Sequence, residues 1–271
     1  MSEVLEIYWA RLRNWGDQVT PIIAETLSGM KVQHSTKEGK YVSTGSILEH
    51  TRENDVIWGT GSMFERPARL PKGLSFHAVR GPLTRKVVMK QGFKCPPVYG
   101  DPAILMPYIY KVPREEIQWK IGIIPHYVDK KHVAHLQYQH PDVRILDIQA
   151  GIKDLMKAVA KCKVILSSSL HGVILAEAMG KKACYVQMDN KVVGGDFKFK
   201  DYYASTDRPL IKSDWRNKVK GMKIPAAHLS DAVDKALRSG TPHYNLEGLL
   251  MSCPFNFKDY LRPEEIPGIT I

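Results

Sequence analysis

A short apolar segment that runs into three serines constrains the fold of this chain more than any other stretch. Residues 164–166 are Val, Ile and Leu, which is typical of a buried strand. Ser167, Ser168 and Ser169 follow, and an apolar, helix-like segment opens at His171. A buried strand that leads directly into a helix is the unit from which α/β folds are built. The segment therefore predicts an α/β fold, with a histidine at the amino end of a helix.

The turn at residues 167–170 has two interpretations. As a ligand site, it offers an anion the free N–H groups of a helix amino end and the positive end of the helix dipole. His171 would add a group that exchanges protons near neutral pH. As a structural turn, it needs only a serine that caps the helix and a hydrogen bond to His171. This stretch alone slightly favours the structural interpretation, so the choice depends on the rest of the chain.

Similar strand–helix units recur on both sides of this turn. Residues 5–9 predict a strand that leads through Gly16 into a helix from about 18 to 28, with Asp17 as its N-cap. Too few glycines follow that strand for the dinucleotide-binding fingerprint, so NAD binding is not supported. The other predicted strands are 56–58, 74–79, 98–99, 121–124, 143–148 and 183–186, and the other predicted helices are 83–90, 129–139, 152–160 and 226–237.

A proline-punctuated polar stretch at 106–116 separates these units into two series and is the predicted linker. A chain of 271 residues also suits two domains. We therefore expect two Rossmann-like domains, 1–112 and 113–271, that face a cleft. In open parallel sheets, ligands bind beyond the carboxyl ends of the strands. The candidate residues at such ends are Asn14, Gly16, Gly59, Arg80, His126 and His171.

Composition narrows the cellular setting. The four cysteines are widely scattered, which argues against a disulfide framework or a zinc knuckle and fits a reducing compartment. The first residues lack the pattern of a signal peptide, and no apolar run approaches the length of a membrane span. We expect a cytoplasmic protein. Its net charge of +11 is dispersed, which disfavours nucleic acid as a partner and leaves peripheral contact with an anionic membrane as an expectation.

Several chemical motifs are absent or weak. The sequence has no Walker loop, no H-E-x-x-H and no G-x-S-x-G. His132, His135 and His140 lie in a polar, helix-like stretch, which we interpret as a solvated face with no metal site. Glu177 lies on the helix that follows the serine turn, where it can reach a ligand hydroxyl or orient a lysine, although such a glutamate is usually structural.

Seven blocks of sequence resemble the polysaccharide pyruvyl transferases. Each block is weakly specific, but they occur in order over about the first three quarters of the chain. They are residues 13–17, 58–61, 79–85, 100–103, 123–127, 168–172 with 177–178, and 197–203. Members of this family move a pyruvyl group from phosphoenolpyruvate onto a sugar as a cyclic ketal. The resemblance implies a fold like the two-domain GT-B glycosyltransferases, no metal requirement and no cofactor beyond phosphoenolpyruvate as donor substrate.

The resemblance also implies roles for the candidate residues. Phosphoenolpyruvate carries two anionic groups, so it needs a helix amino end and cationic side chains. We expect His171 to be the acid/base, Arg80 to bind the donor anion, and His126 to lie near donor or acceptor. Many members carry an arginine where this chain has Ser169, so the donor depends on Arg80 first and on Lys198 or Lys200 next. The other expected substrate-binding residues are Asn14, Gly16, Asp17, Gly59, Gly61, Ser168, Ser169, Leu170 and Glu177.

Two alternatives remain at this point. One is a nucleotide-sugar glycosyltransferase of the same fold, in which Glu177 would hold the ribose. The other is a carbohydrate-binding relative without catalysis, which kept the fold after losing the arginine at position 169. For the transferase, we expect a sugar or lipid-linked oligosaccharide acceptor at the inner face of the membrane, which would give the basic surface a use.

Overall fold

Two parallel five-stranded sheets form the framework of the computed structural model, which describes residues 4–216, 219 and 224–255. The N-terminal sheet has the order β2-β1-β3-β4-β5, and the C-terminal sheet has the order β10-β9-β8-β6-β7. The strands of the first sheet are β1 (Val4–Tyr8), β2 (Lys31–His34), β3 (Tyr41–Val42), β4 (Val56–Trp58) and β5 (Ser75–Ala78). Those of the second are β6 (Trp119–Ile124), β7 (Val143–Ile145), β8 (Cys162–Ser167), β9 (Lys182–Gln187) and β10 (Lys212–Asp214).

α-Helices connect all consecutive strands of the C-terminal sheet, whereas in the N-terminal sheet an α-helix lies only between β1 and β2. The α-helices are α1 (Trp15–Ser28), α2 (Pro82–Lys90), α3 (Met106–Ile109), α4 (Lys130–Val133), α5 (Leu136–Gln139), α6 (Ile152–Ala160), α7 (Leu170–Ala178), α8 (Phe197–Ala204), α9 (Ala226–Leu237) and α10 (Leu246–Met251). Short 3-10 helices lie at Leu48–His50, Pro102–Leu105 and Tyr127–Asp129. The predicted α/β class is confirmed, and the two sheets are consistent with two Rossmann-like domains.

The central strand and helix of the C-terminal sheet place the serine turn deep inside the molecule. β8 lies between β6 and β9, and its last four residues are buried. α7 follows it and is buried from Leu170 to Glu177. A helix that is apolar on all sides belongs to a protein interior, because no face of it can be left in water. His171 therefore sits in the core rather than on a solvated helix.

The first helix begins earlier than the sequence predicted. α1 starts at Trp15, and its N-cap is Asn14, whose side-chain oxygen accepts the N–H of Gly16 at 3.2 Å. Asp17, the predicted N-cap, is instead a buried residue of the first turn. The helix ends at Ser28, as predicted, and its C-cap is Gly29, which has a φ of 66° and so adopts the left-handed conformation that glycine favours.

Several other predicted elements are modified in the structure. The predicted helices at 152–160 and 226–237 are confirmed as α6 and α9. The predicted helix at 129–139 is broken into α4 and α5, and the predicted strand at 98–99 is only a bridge between Val79 and Tyr99. The start of the predicted linker at 106–116 is helix α3. β10 and α10 were not predicted, and the C-terminal tail after residue 255, for which no periodicity was found, lies outside the described residues.

The two halves of the chain share part of one apolar core. The cluster that contains Leu5 and Ile23 of the N-terminal half also contains Ile165 and Tyr203 of the C-terminal half. The domain division at residue 112 and the GT-B-like cleft remain predictions. All four cysteines are free thiols, as expected. Within the described ranges, no helix combines the length and apolar character needed to cross a bilayer.

The segment that contains α10 packs on the N-terminal sheet, although it follows the whole C-terminal sheet in the sequence. The indole Nε1 of Trp58 donates to the carbonyl of Leu249 at 2.9 Å. The ring of Phe255 packs edge-on against Trp58, with ring centroids 5.5 Å apart, and against Tyr41 at 5.1 Å. The last described residues therefore complete the core of the first sheet.

Candidate functional site

The serine turn at the start of α7 is held by Ser167. Its hydroxyl oxygen accepts the N–H of Ser169 at 3.0 Å and lies 2.7 Å from the carbonyl of Ile124. Ser169 is the N-cap residue, but its side chain makes no capping hydrogen bond. A Cβ on Gly172 would lie 2.3 Å from the Ser167 oxygen, so the turn requires glycine there. As at any helix amino end, the first N–H groups of α7, those of Leu170 and His171, have no acceptor within the helix.

The imidazole of His171 lies against backbone from the N-terminal half. A Cβ on Gly16 would come within 2.0 Å of the imidazole Cγ and Nδ1, and one on Gly45 would lie 3.4 Å from Cε1. The Nε2 atom is 3.8 Å from Oδ2 of Asp101, which is beyond hydrogen-bonding distance. This nitrogen is buried and has no hydrogen-bond partner in the described part of the chain. The described protein groups therefore leave this nitrogen uncompensated.

Two buried carboxyl groups lie beside this histidine. Asp101 has no exposed surface and accepts the N–H groups of Gly45 and Ala103, each at 3.0 Å. Burial raises its pKa to about 6. Burial also raises the pKa of Asp17 to about 7, with a further contribution from the negative charge of Asp101. Both groups therefore exchange protons close to neutral pH, which an exposed aspartate does not.

Three further basic side chains, Lys198, Arg80 and His126, interact electrostatically with His171. Lys198 of α8 is buried, and its Nζ donates to the carbonyl of Val193 at 3.0 Å. Burial, with repulsion from Arg80, lowers the pKa of Lys198 to about 8. Burial lowers the pKa of His171 to about 3 and that of His126 to about 4, and the charge of Lys198 adds to both effects. At neutral pH both imidazoles are therefore neutral, while the amine of Lys198 is mostly protonated.

Arg80 occupies a different position from the one expected. Its guanidinium has no exposed surface, and its Nε donates to Oδ2 of Asp201 at 3.0 Å. The other nitrogens donate to the carbonyl of Ser62 at 2.7 Å and to the hydroxyl of Ser46. Asp201 also accepts the backbone N–H of Thr84 at 2.9 Å. Arg80 thus joins the N-terminal half to α8, and its charge acts on His171 and Lys198 through space.

Protein side chains occupy the space beside the two glycines that were expected to let a ligand approach, Gly59 and Gly61. Gly59 has a φ of 86°, and a Cβ there would lie 2.3 Å from Cδ of Pro102. A Cβ on Gly61 would lie 2.3 Å from the guanidinium carbon of Arg80. Their small size is needed for these close contacts. Gly61 therefore bears on the site only through the position of Arg80.

Two more expected ligand residues are engaged elsewhere. Glu177 is buried and accepts both terminal nitrogens of Arg208, at 2.9 and 2.6 Å, and the hydroxyl of Tyr202 at 2.7 Å. Its partner is thus an arginine rather than the expected lysine. Lys200 is exposed and lines a groove between α2 and α8, because two residues along a helix point to opposite sides. Of the two lysines, only Lys198 faces the histidines.

The remaining expected residues make structural contacts near the site. Ser168 accepts the backbone N–H of His126 at 2.8 Å, which fixes the end of β6 against the serine turn. Leu170 is buried in the apolar core, and Asn14 caps α1 beneath Gly16. Gly45 and Asp101 were missed as site residues. Asp101 stands in a Gly-Asp-Pro block after a predicted strand, so its sequence position carried a usable signal, whereas nothing in the sequence marked Gly45.

Two comparisons connect this site with known proteins. The family model described as polysaccharide pyruvyl transferase matches residues 56–190, a range that contains Arg80, Asp101, His126 and His171. The chain is also similar to uncharacterized protein L143 of Acanthamoeba polyphaga mimivirus, with 35% identity over 217 residues. That alignment covers 75% of this chain and 74% of the viral protein. The family expected from the sequence blocks is confirmed: the chain belongs to the polysaccharide pyruvyl transferases, a family of transferase enzymes.

Proposed function

We propose that this protein transfers a pyruvyl group from phosphoenolpyruvate to two hydroxyls of a sugar, forming a cyclic ketal and releasing phosphate. One observation carries the proposal. The group around His171 combines a helix amino end, an unpartnered imidazole nitrogen, two carboxyls of raised pKa and a lysine of lowered pKa. Such a set of shifted groups is typical of catalytic sites.

The donor anion would bind at the amino end of α7. The N–H groups of Leu170 and His171 and the helix dipole favour a phosphate or carboxylate there. The ammonium of Lys198 supplies the cation that family members obtain from an arginine at the position of Ser169. A bound anion would also raise the pKa of His171 and Lys198, because an opposite charge stabilises their protonated forms. Donor binding would thus prepare the site for proton transfer.

The ketal can form with all atoms accounted for. Asp17 gives a proton to the methylene carbon of phosphoenolpyruvate, while a sugar hydroxyl attacks the central carbon and loses its proton to Nε2 of His171. The bond between the central carbon and the phosphate oxygen then breaks, and a second hydroxyl closes the ring. The two hydroxyl protons balance the one placed on the methylene carbon and the one that leaves with phosphate. Asp101, 3.8 Å from Nε2, stabilises the protonated imidazole.

The sequence-based alternatives have less support. A nucleotide-sugar glycosyltransferase would need Glu177 for the ribose, but both oxygens of this carboxylate already accept hydrogen bonds within the protein. A carbohydrate-binding relative without catalysis would gain nothing from the uncompensated nitrogen of His171 or from the shifted pKa values around it, since burying such groups is unfavourable for folding. For the acceptor, we propose a lipid-linked sugar at the inner membrane face, since a net charge of +11 favours contact with anionic lipid.

Phosphate release from phosphoenolpyruvate tests the proposal. The purified full chain is incubated with the donor and a panel of lipid-linked and nitrophenyl sugars, and products are identified by mass as ketals. We expect release that depends on the acceptor and that is lost in His171→Gln. His140→Gln, in a segment away from the site, is the matched control and should retain activity. Tight binding of a sugar nucleotide without acceptor-dependent release would overturn the proposal.

A further inference from the structure

A second group of polar side chains lies at the carboxyl edge of the C-terminal sheet. Asp129 follows β6, His132 lies three residues later in α4, and Asp189 follows β9. One ligand atom from each residue lies within 4.8 Å of the others. His132 was expected on a solvated face, but its side chain is mostly buried and lies beside two carboxylates. Asp129 is close to His132 in sequence, while Asp189 comes from the end of β9, which is separated from β6 by β8 in the sheet.

Asp129 is the most unusual member of this group. Its side chain has no exposed surface, and neither carboxylate oxygen has a hydrogen-bond partner among the described residues. Burial raises the pKa of this carboxyl group, and the nearby hydroxyl of Ser168 offsets that shift only in part. A buried carboxylate without a partner is strongly unfavourable, and proteins retain such groups where a cation or a ligand compensates.

The other two residues direct their atoms toward the same space. Nε2 of His132 lies 3.3 Å from Oδ2 of Asp189. The other oxygen of Asp189 accepts the N–H of Lys191 at 2.6 Å, which fixes the orientation of the carboxylate. Both side chains are mostly buried but keep about a sixth of their surface exposed, 15% and 17%. Solvent can therefore reach the group from this side.

We propose that Asp129, His132 and Asp189 bind a divalent cation of the manganese or zinc class. Two carboxylates and one imidazole are ligands that these ions accept, and three protein ligands leave coordination positions for water or an anion. The charged groups that face this space are Lys191 beside Asp189 and Lys198 of α8, which interacts electrostatically with Asp129. Among the described residues neither ammonium forms a close ion pair with Asp129, so its charge is left for a cation to compensate.

The proposed cation site and the His171 group share neighbouring residues. Ser168, which accepts the N–H of His126, also lies beside Asp129, and the charge of Asp189 acts on His126. A bound cation would therefore add positive potential near the amino end of α7. The proposal does not depend on pyruvyl transfer, because cation binding can be measured without any substrate.

Manganese binding to the full chain tests the inference. The protein is treated with a chelator, dialysed, and titrated with Mn²⁺ while the electron paramagnetic resonance signal of the free ion is followed. We expect one bound ion per chain that Zn²⁺ displaces. His132→Gln and Asp189→Asn should each weaken the affinity at least about tenfold, since even outer-shell changes have effects of this size. His140→Gln and the exposed Asp142→Asn are matched controls and should bind normally.

Thermal unfolding supplies a second readout for variants of the buried residue. Added Mn²⁺ should raise the midpoint of the wild-type protein, because a ligand that binds only the folded state stabilises it. In Asp129→Asn this shift should disappear, even if the variant is more stable than wild type without metal. Absence of stoichiometric binding by wild type, or unchanged affinity in His132→Gln, would overturn the inference. Either result would leave acceptor-dependent phosphate release unaffected as a separate test.

Discussion

The two ends of helix α7 each bury an ionisable side chain, but they treat it in opposite ways. At the carboxyl end, Glu177 accepts two nitrogens of Arg208 and the hydroxyl of Tyr202, so its charge is fully compensated. At the amino end, Nε2 of His171 has no partner in the described structure, and burial lowers its pKa to about 3. The comparison shows that burial alone does not indicate a functional group. A better indication is a buried polar atom without a partner beside other groups whose pKa values are shifted.

Removing the imidazole should have the largest effect on catalysis. We expect His171→Gln to lower kcat about 10²- to 10⁴-fold, the range attributed to a positioned acid or base. The free energy of unfolding should change little or rise, because the histidine makes no hydrogen bond through Nε2 that the variant would lose. Steady-state kinetics and urea denaturation check the two expectations. A loss of activity that merely follows a loss of folded protein would contradict the distinction between the ends of α7.

Breaking the compensated end should instead affect folding. Arg208→Ala leaves the buried Glu177 carboxylate without its main partner, and such losses typically destabilise by about 3–5 kcal/mol. The variant should unfold at much lower urea concentration while its folded fraction keeps the wild-type kcat. Lys235→Ala, which removes an exposed pair with Asp231, is the control and should change the free energy of unfolding by less than about 1 kcal/mol.

The pH dependence of stability gives a further test of the amino end. Burial raises the pKa of Asp17 to about 7, so the folded state keeps this proton between about pH 4 and pH 7 while the unfolded state loses it. The free energy of unfolding of the wild-type protein therefore falls as the pH rises from about 4 to about 7. The total loss due to Asp17 is on the order of a few kcal/mol. The stability of Asp17→Asn relative to wild type should increase over that interval. Asp142→Asn is the matched control, and a constant difference for Asp17→Asn would contradict the assignment.

The two lysines of α8 should differ by a smaller amount. Lys198 faces the histidines and Lys200 faces away from them, although they are two residues apart. Lys198→Gln should raise KM for phosphoenolpyruvate about 10- to 100-fold, the range expected for a lost hydrogen bond to a charged group. Lys200→Gln should leave KM unchanged. Equal effects of the two changes would show that the donor does not bind at the amino end of α7.

Local sequence pattern was enough for the class of the fold and for part of the site. Helix periodicity gave α6 and α9, and the apolar run of β8 with its serines placed His171 at a helix start. Elements with weak local signals were missed, because β10 is only three residues long and α10 gains its stability from packing on Trp58.

The contacts that the predicted side chains make could not be predicted from the sequence, and the reason is physical. Arg80 was expected to meet a ligand anion, but its carboxylate partner, Asp201, lies 121 residues further along the chain. The same holds for Asp189, which is 57 residues from His132. Strand order brings such residues together, and pattern within a single segment carries no information about it. Only Asp101, in a block already noted after a predicted strand, could have been included.

The hydrogen bond from Trp58 to Leu249 joins residues 191 positions apart, and it has a consequence for synthesis on the ribosome. The N-terminal sheet has all its strands once residue 78 has been made, yet its core lacks α10 and Phe255 until almost the whole described chain has emerged. Contacts that distant slow folding, because closing so long a loop costs conformational entropy before the contact stabilises the fold. During synthesis, Trp58 therefore lacks its contacts with Leu249 and Phe255 until these last described residues have been made.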